Sequence, residues 1–171
     1  MDSSLSPSAL PSFDKMSPRE LAALVEDARS LQRAAEAGAT QPLLKGRQVG
    51  LLCATGAGDD DLALFDSAVA ELGAHVAHIR PDLTVLGDPQ QVVQTAHTLG
   101  RLYDALVCQG LAPALVQRLI TDAGIPICDG IASPDHPIAK AAATLGRATS
   151  AADSRRFLLQ ALLLKAVAER Q

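Results

Sequence analysis

The sequence predicts an α/β fold, a parallel sheet with helices on both faces, on two observations. Residues 49–54 form a short continuous apolar run, as expected of a strand buried on both sides. Three further short strands, at 75–79, 105–109 and 125–128, alternate with segments of helical period. Strands that recur between helices pair in parallel, because each crossover helix returns the chain to the same end of the sheet.

The elements follow in order. Ser17, Pro18 and Glu20 make a capping box for a first helix, with Leu21, Leu24, Val25, Ala28 and Leu31 as its apolar stripe and Gly38 as its stop. After the first strand Gly56, Ala57 and Gly58 turn the chain. Asp59, Asp60 and Asp61 then open a helix with Leu62, Phe65, Val69 and Leu72 on one face, ended by Gly73. Asp88 and Pro89 start a third helix that runs to about Leu102. A fourth spans 113–123 and stops at Gly124. Pro126 is best tolerated near the start of an edge strand. Residues 136–145 read as a further helix. Ser150 and Asp153 cap a last one, which carries Phe157, Leu158, Ala161, Leu162, Leu164 and Val167 and is apolar over much of its circumference. Such a helix is expected to be covered on more than one side.

Composition bounds what this fold can do. The 171 residues suffice for one core of ordinary size. Phe13, Phe65, Phe157 and Tyr103 are the only aromatics, so the core is aliphatic and base stacking is excluded as a main function. A net charge of −4 gives no electrostatic footprint for nucleic acid or an anionic membrane. No apolar run approaches the roughly 20 residues that cross a bilayer. Residues 1–16, rich in Ser and Pro, lack the basic and apolar regions of a leader and read as a flexible tail. The expected setting is cytoplasmic, and the odd cysteine count fits reduced thiols there.

Four stretches carry a family resemblance. They are "LLKGRQVGLL", "FDSAVAELGAHVAHI", "VVQTAHTLGRLYDALV" and "AGIPICDGIASPDHPIAKAAATL". In order and spacing they resemble the carbamoyl-phosphate domain of ornithine and aspartate carbamoyltransferases, over roughly 100 residues. The resemblance implies a four-stranded sheet in the order 2-1-3-4 and a homotrimer. It licenses a fold, and not by itself an activity.

In that family phosphate sits at the start of the first crossover helix on Ser-Thr-Arg-Thr-Arg. Free backbone N–H groups and the helix dipole attract an anion there, and two guanidinium groups neutralise it. Counted back from Phe65, the motif falls on Gly58, Asp59, Asp60, Asp61 and Leu62. Both arginines are gone, and Asp59 or Asp60 is expected to cap the helix with its own side chain. The family's arginine after strand three falls on Gln109, and its mobile-loop lysine near Pro89. Its His-Pro-x-Gln reads His136-Pro137-Ile138-Ala139 here. Each charge-assisted contact is worth about 1.5–3 kcal/mol, so losing several and adding repulsion leaves no useful affinity. The expected degenerate crevice is Gly58, Asp59, Asp60, Asp61, Gln109 and His136, with no catalytic residue, cofactor or metal.

The chain is short for the family's second, amino-acid-binding domain. "DSRRFLLQALLLKAVAE" nonetheless resembles the family's closing helix, which implies that the second domain was excised internally. Residues 17–171 are then expected to form one unit, with first and last helices side by side on one sheet face.

Other signals have plainer readings. Gly56 and Gly58 do not make a dinucleotide fingerprint, since Asp61 takes the third glycine position. The three aspartates read as a dipole-matched helix start in preference to a cation site, because consecutive helical residues point in different directions. His136 has two readings, a carbonyl-binding relic or an anchor for the loop before Pro137. Cys53, Cys108 and Cys128 lie at strand ends, and Cys108 and Cys128 share a phase that lets them face the same way; a small-hydrophobe role is favoured over a metal or redox site. Three functional classes remain, in this order: a non-catalytic oligomeric scaffold, alone or with an active paralogue; a module binding a neutral or cationic small molecule or a cation; and residual carbamoyl chemistry completed by another chain.

Overall fold

The computed structural model describes residues 16–54, 58–82, 87–145 and 150–168. The expected tail, apart from Met16, and the glycine turn at Gly56 and Ala57 lie outside them.

Four strands, β1 (Gln48–Cys53), β2 (His75–Ile79), β3 (Ala105–Gln109) and β4 (Ile127–Asp129), form one sheet in the order β2-β1-β3-β4. All three pairings are parallel. Among the described residues six helices surround it: α1 (Pro18–Glu36), α2 (Asp59–Glu71), α3 (Pro89–Leu102), α4 (Pro113–Ala123), α5 (Pro137–Ala141) and α6 (Ala151–Ala168). The expected sheet, strand order and flanking helices are all present.

Local chemistry explains most boundaries. Ser17 accepts from the Glu20 N–H at 3.2 Å while the Glu20 carboxylate accepts from the Ser17 N–H at 2.7 Å, closing the predicted capping box. Those hydrogen bonds, the backbone one first, lower the Glu20 pKa. Asp88 caps α3 through the Gln90 N–H at 3.1 Å. Gly124 ends α4 at φ +68°, a left-handed conformation that a side chain would strain. The Asp153 N–H donates to the Ser150 hydroxyl at 3.1 Å, and that hydroxyl donates to Asp153 at 2.8 Å.

Two boundaries differ from expectation. β4 starts at Ile127 instead of Ile125, because Pro126 has no N–H for the ladder and contributes only its carbonyl, to the Leu106 N–H at 2.9 Å. The segment predicted as one helix over 136–145 is α5 followed by a 3-10 turn, Ala142–Leu145.

The sheet separates two aliphatic clusters. On one face Leu52, Leu106 and Cys108 pack with Val92, Ala96 and Leu99 of α3 and with Val116 and Leu119 of α4. On the other, Val49, Leu51, Val107 and Cys128 share a cluster with residues of α1, α2, α5 and α6. α6 packs along α1 and against α2, as the apolar circumference requires. Phe157, Leu158, Leu159, Leu162 and Leu163 of α6 are all buried.

Parallel register overturns one expectation about the cysteines. Cys128 stands opposite Val107 and Cys108 opposite Asp129. Side chains alternate along a strand, so this offset of one residue sends Cys108 and Cys128 to opposite faces. Burial, reinforced by the Asp129 carboxylate, pushes the Cys108 thiol up to about 12. It stays protonated at neutral pH and acts as a small apolar group.

Candidate functional site

The carboxyl ends of β1, β3 and β4 face the start of α2, the place where open α/β sheets gather ligands. The N-cap of α2 is Gly58, and it offers no side-chain hydrogen bond. This corrects the expectation that Asp59 or Asp60 caps the helix. The helix begins at Asp59, so the three carboxylates occupy its first turn instead of the position before it. Asp59 and Asp60 are exposed, and Asp61 is half-buried.

Asp61 is held from the far end of the chain. Arg155, in the first turns of α6, donates from Nη1 to an Asp61 carboxylate oxygen at 2.7 Å. Its Nη2 donates to the Ala132 carbonyl, just beyond β4. The Arg155 side chain is 13% exposed and that of Asp61 23%, so water screens this pair less than a surface one. Arg156, the next residue, turns the other way. It pairs with Glu71 at the end of α2 and with Asp153 at 3.0 Å, and Gln160 donates to Glu71 at 2.8 Å. Two adjacent arginines thus grip the two ends of one helix.

Gln109 closes β3 opposite Cys53 of β1, and its carbonyl accepts the Ala54 N–H at 3.1 Å. By strand alternation it shares the face of Val107, toward α2 and α6. It is buried, and its Oε1 has no hydrogen-bond partner among the described residues. His136 is also buried and is the N-cap of α5. Its Nδ1 accepts the Ile138 N–H at 3.3 Å, which places the proton of a neutral ring on Nε2. Of its two expected roles, this bond supplies the loop anchor.

The six sequence-predicted residues therefore share one end of the sheet but differ in access. Gly58, Asp59 and Asp60 are open to solvent, Asp61 is engaged, and Gln109 and His136 are buried. Two clefts open on either side of the start of α6. One, of about 510 Å³, is lined by Asp60, Asp61, Ser67 and Arg155 together with Leu64 and three alanines; the other, of about 390 Å³, by Pro134, Ser154 and Arg155 together with four alanines. Gln109 and His136 line neither. Among the described residues no three His, Cys, Asp or Glu side chains converge as a metal centre requires. No described helix is long and apolar enough to cross a membrane.

Arg155 is the site residue that sequence reasoning missed. Its only local signal is a pair of arginines at the head of an otherwise apolar helix. Its partner lies 94 residues away.

Comparison with known proteins agrees with this geometry. Residues 9–144 match the family model described as "Aspartate/ornithine carbamoyltransferase, carbamoyl-P binding domain". The ornithine carbamoyltransferase of Actinobacillus pleuropneumoniae serotype 5b is 34% identical over 119 residues, which is 70% of this chain and 35% of that protein. The chain thus spans about a third of the length of such relatives. Two solved structures share the fold. Ornithine carbamoyltransferase from Pyrococcus furiosus superposes with a TM-score of 0.66 at 19% identity, over 80% of this chain and 44% of the other. Aspartate transcarbamoylase from Trypanosoma cruzi, solved in complex with carbamoyl phosphate, gives 0.60 at 24%, over 80% and 45%. The strand order, the helix start facing the sheet's carboxyl ends and the family match together show that the chain belongs to the carbamoyl-phosphate-binding domain family of aspartate and ornithine carbamoyltransferases.

Proposed function

We propose that this chain is a carbamoyltransferase-family domain that no longer takes carbamoyl phosphate and serves as a non-catalytic, self-associating scaffold. The observation that carries the reading is the run of three aspartates in the first turn of α2, with Asp61 paired to Arg155. A helix start attracts anions through its N–H groups and dipole. Here a phosphate arriving at that start meets carboxylates. By the resemblance, positions 60 and 62 carried the family's arginines, and Asp60 and Leu62 stand there now. Gln109 and Ala139 remove two further contacts. Gly58, Asp59, Asp60, Asp61, Gln109 and His136 are then a relic crevice.

Calorimetry tests this directly. Neither carbamoyl phosphate nor inorganic phosphate is expected to give binding heat at millimolar concentration at pH 7. A dissociation constant below a millimolar for the unmodified chain would overturn the reading.

The scaffold part rests on assembly. The family resemblance implies a trimer, and the contacts that build it belong to the domain retained here. A homotrimer with cyclic threefold symmetry is expected, joined at will by an active paralogue. A stable interface buries roughly 1,200–2,000 Å². Light scattering at tens of micromolar should give three times the chain mass of 17.8 kDa. A monomer there refutes the scaffold.

A further inference from the structure

We propose that Asp61 is a built-in ligand: its carboxylate holds the Arg155 guanidinium in the way a bound anion would, and so keeps the start of α2 closed to anions from solution. The inference rests on the proposed loss of carbamoyl-phosphate binding and supplies its cause.

Four observations lead there. Arg155 comes from α6, outside the segment that carries the family motif, yet its guanidinium reaches the first turn of α2. It is mostly buried, and one of its donors, Nε, is buried with no partner among the described residues. A guanidinium with a spare donor can take a second acceptor edge. Its other described anchor is a neutral carbonyl, that of Ala132, so among the described residues Asp61 alone neutralises it. Finally, the guanidinium stands between the two clefts of about 510 and 390 Å³, so space for a small oxyanion adjoins it.

The rival account is that the pair exists only to dock α6. That work is already done at the other end of α2, where Arg156 and Gln160 both bind Glu71. The apolar side chains of α6 seal the helix besides.

The test is a set of calorimetric titrations with inorganic phosphate. Asp61→Ser frees the guanidinium and keeps a short polar side chain at the helix start. Its affinity for phosphate is expected to exceed that of the unmodified chain by at least about tenfold, a gain equivalent to ~1.4 kcal/mol. Asp61→Asn keeps the shape and one acceptor for Arg155, and should gain less. The double variant Asp61→Ser with Arg155→Gln should lose the gain. Circular dichroism melts of every variant, without phosphate, establish that each is folded; if Asp61→Ser is not, Asp61→Asn carries the comparison. A folded Asp61→Ser variant that binds phosphate no better than the unmodified chain overturns the inference, as does a double variant that keeps the gain. Tight phosphate binding by the unmodified chain is a different result and overturns the proposed function itself.

Discussion

Replacing Gly100 by alanine is expected to lower the stability of the folded chain by about 1–3 kcal/mol or more, although the change is made inside a helix. Alanine normally improves a helix by roughly 1 kcal/mol over glycine. At this position packing decides the sign. A Cβ on Gly100 would lie 2.0 Å from the carbonyl oxygen of Ala123, a backbone atom at the end of α4. A flexible side chain could swing away from such an intrusion, but a backbone carbonyl can yield only if α3 and α4 separate. Both helices cover the same sheet face through Val92, Ala96, Leu99, Val116 and Leu119, so separation opens that core. For a domain of this size the loss corresponds to a melting temperature lower by roughly 2–12 °C. Gly87→Ala is the control: its Cβ meets nothing within 4 Å among the described residues, and its effect should stay within about 0.5 kcal/mol. A Gly100→Ala variant that melts with the unmodified chain would show that the α3–α4 approach is looser than the structure describes.

The second large effect concerns α6. A chain stopped after Leu145 is expected not to fold cooperatively, although it keeps β1–β4 and α1–α5. Phe157, Leu158, Leu159, Leu162 and Leu163 all come from α6 and all are buried. At about 1.5–3 kcal/mol for each large apolar side chain, their loss is on the order of 10 kcal/mol. That equals the whole stability of a typical domain, about 5–15 kcal/mol. The truncation also leaves Asp61 and Glu71 without their arginines and exposes the apolar face of α1. The expected product binds a hydrophobic dye and lacks a sharp thermal transition. A truncated chain melting cooperatively within a few degrees of the full one would mean that α6 is an accessory. The proposal that residues 17–171 form one unit would fall with that result.

Much of this molecule is legible in its sequence because the deciding forces are local. Ser17, Pro18 and Glu20 define the start of α1 through bonds three residues apart, and Gly124 ends α4 through its own backbone freedom. The apolar run of β1 and the period of the helices specify the layers, since burial follows the spacing of side chains along each element. The family resemblance added the strand order. It also pointed to the helix start at Asp59–Asp61 as the position of the family's phosphate motif.

Tertiary structure decided what depends on residues far apart in sequence. Cys108 and Cys128 have the same phase in their own strands, and only the register of β3 against β4 sends them to opposite faces. The aspartates read as an unopposed acidic cluster until α6 returns and lays Arg155 against Asp61. Periodicity reports which face of an element is apolar. It does not report which side chain 94 positions away arrives at that face. The closing of this helix start is therefore a property of the packed molecule, set by how α6 crosses α2.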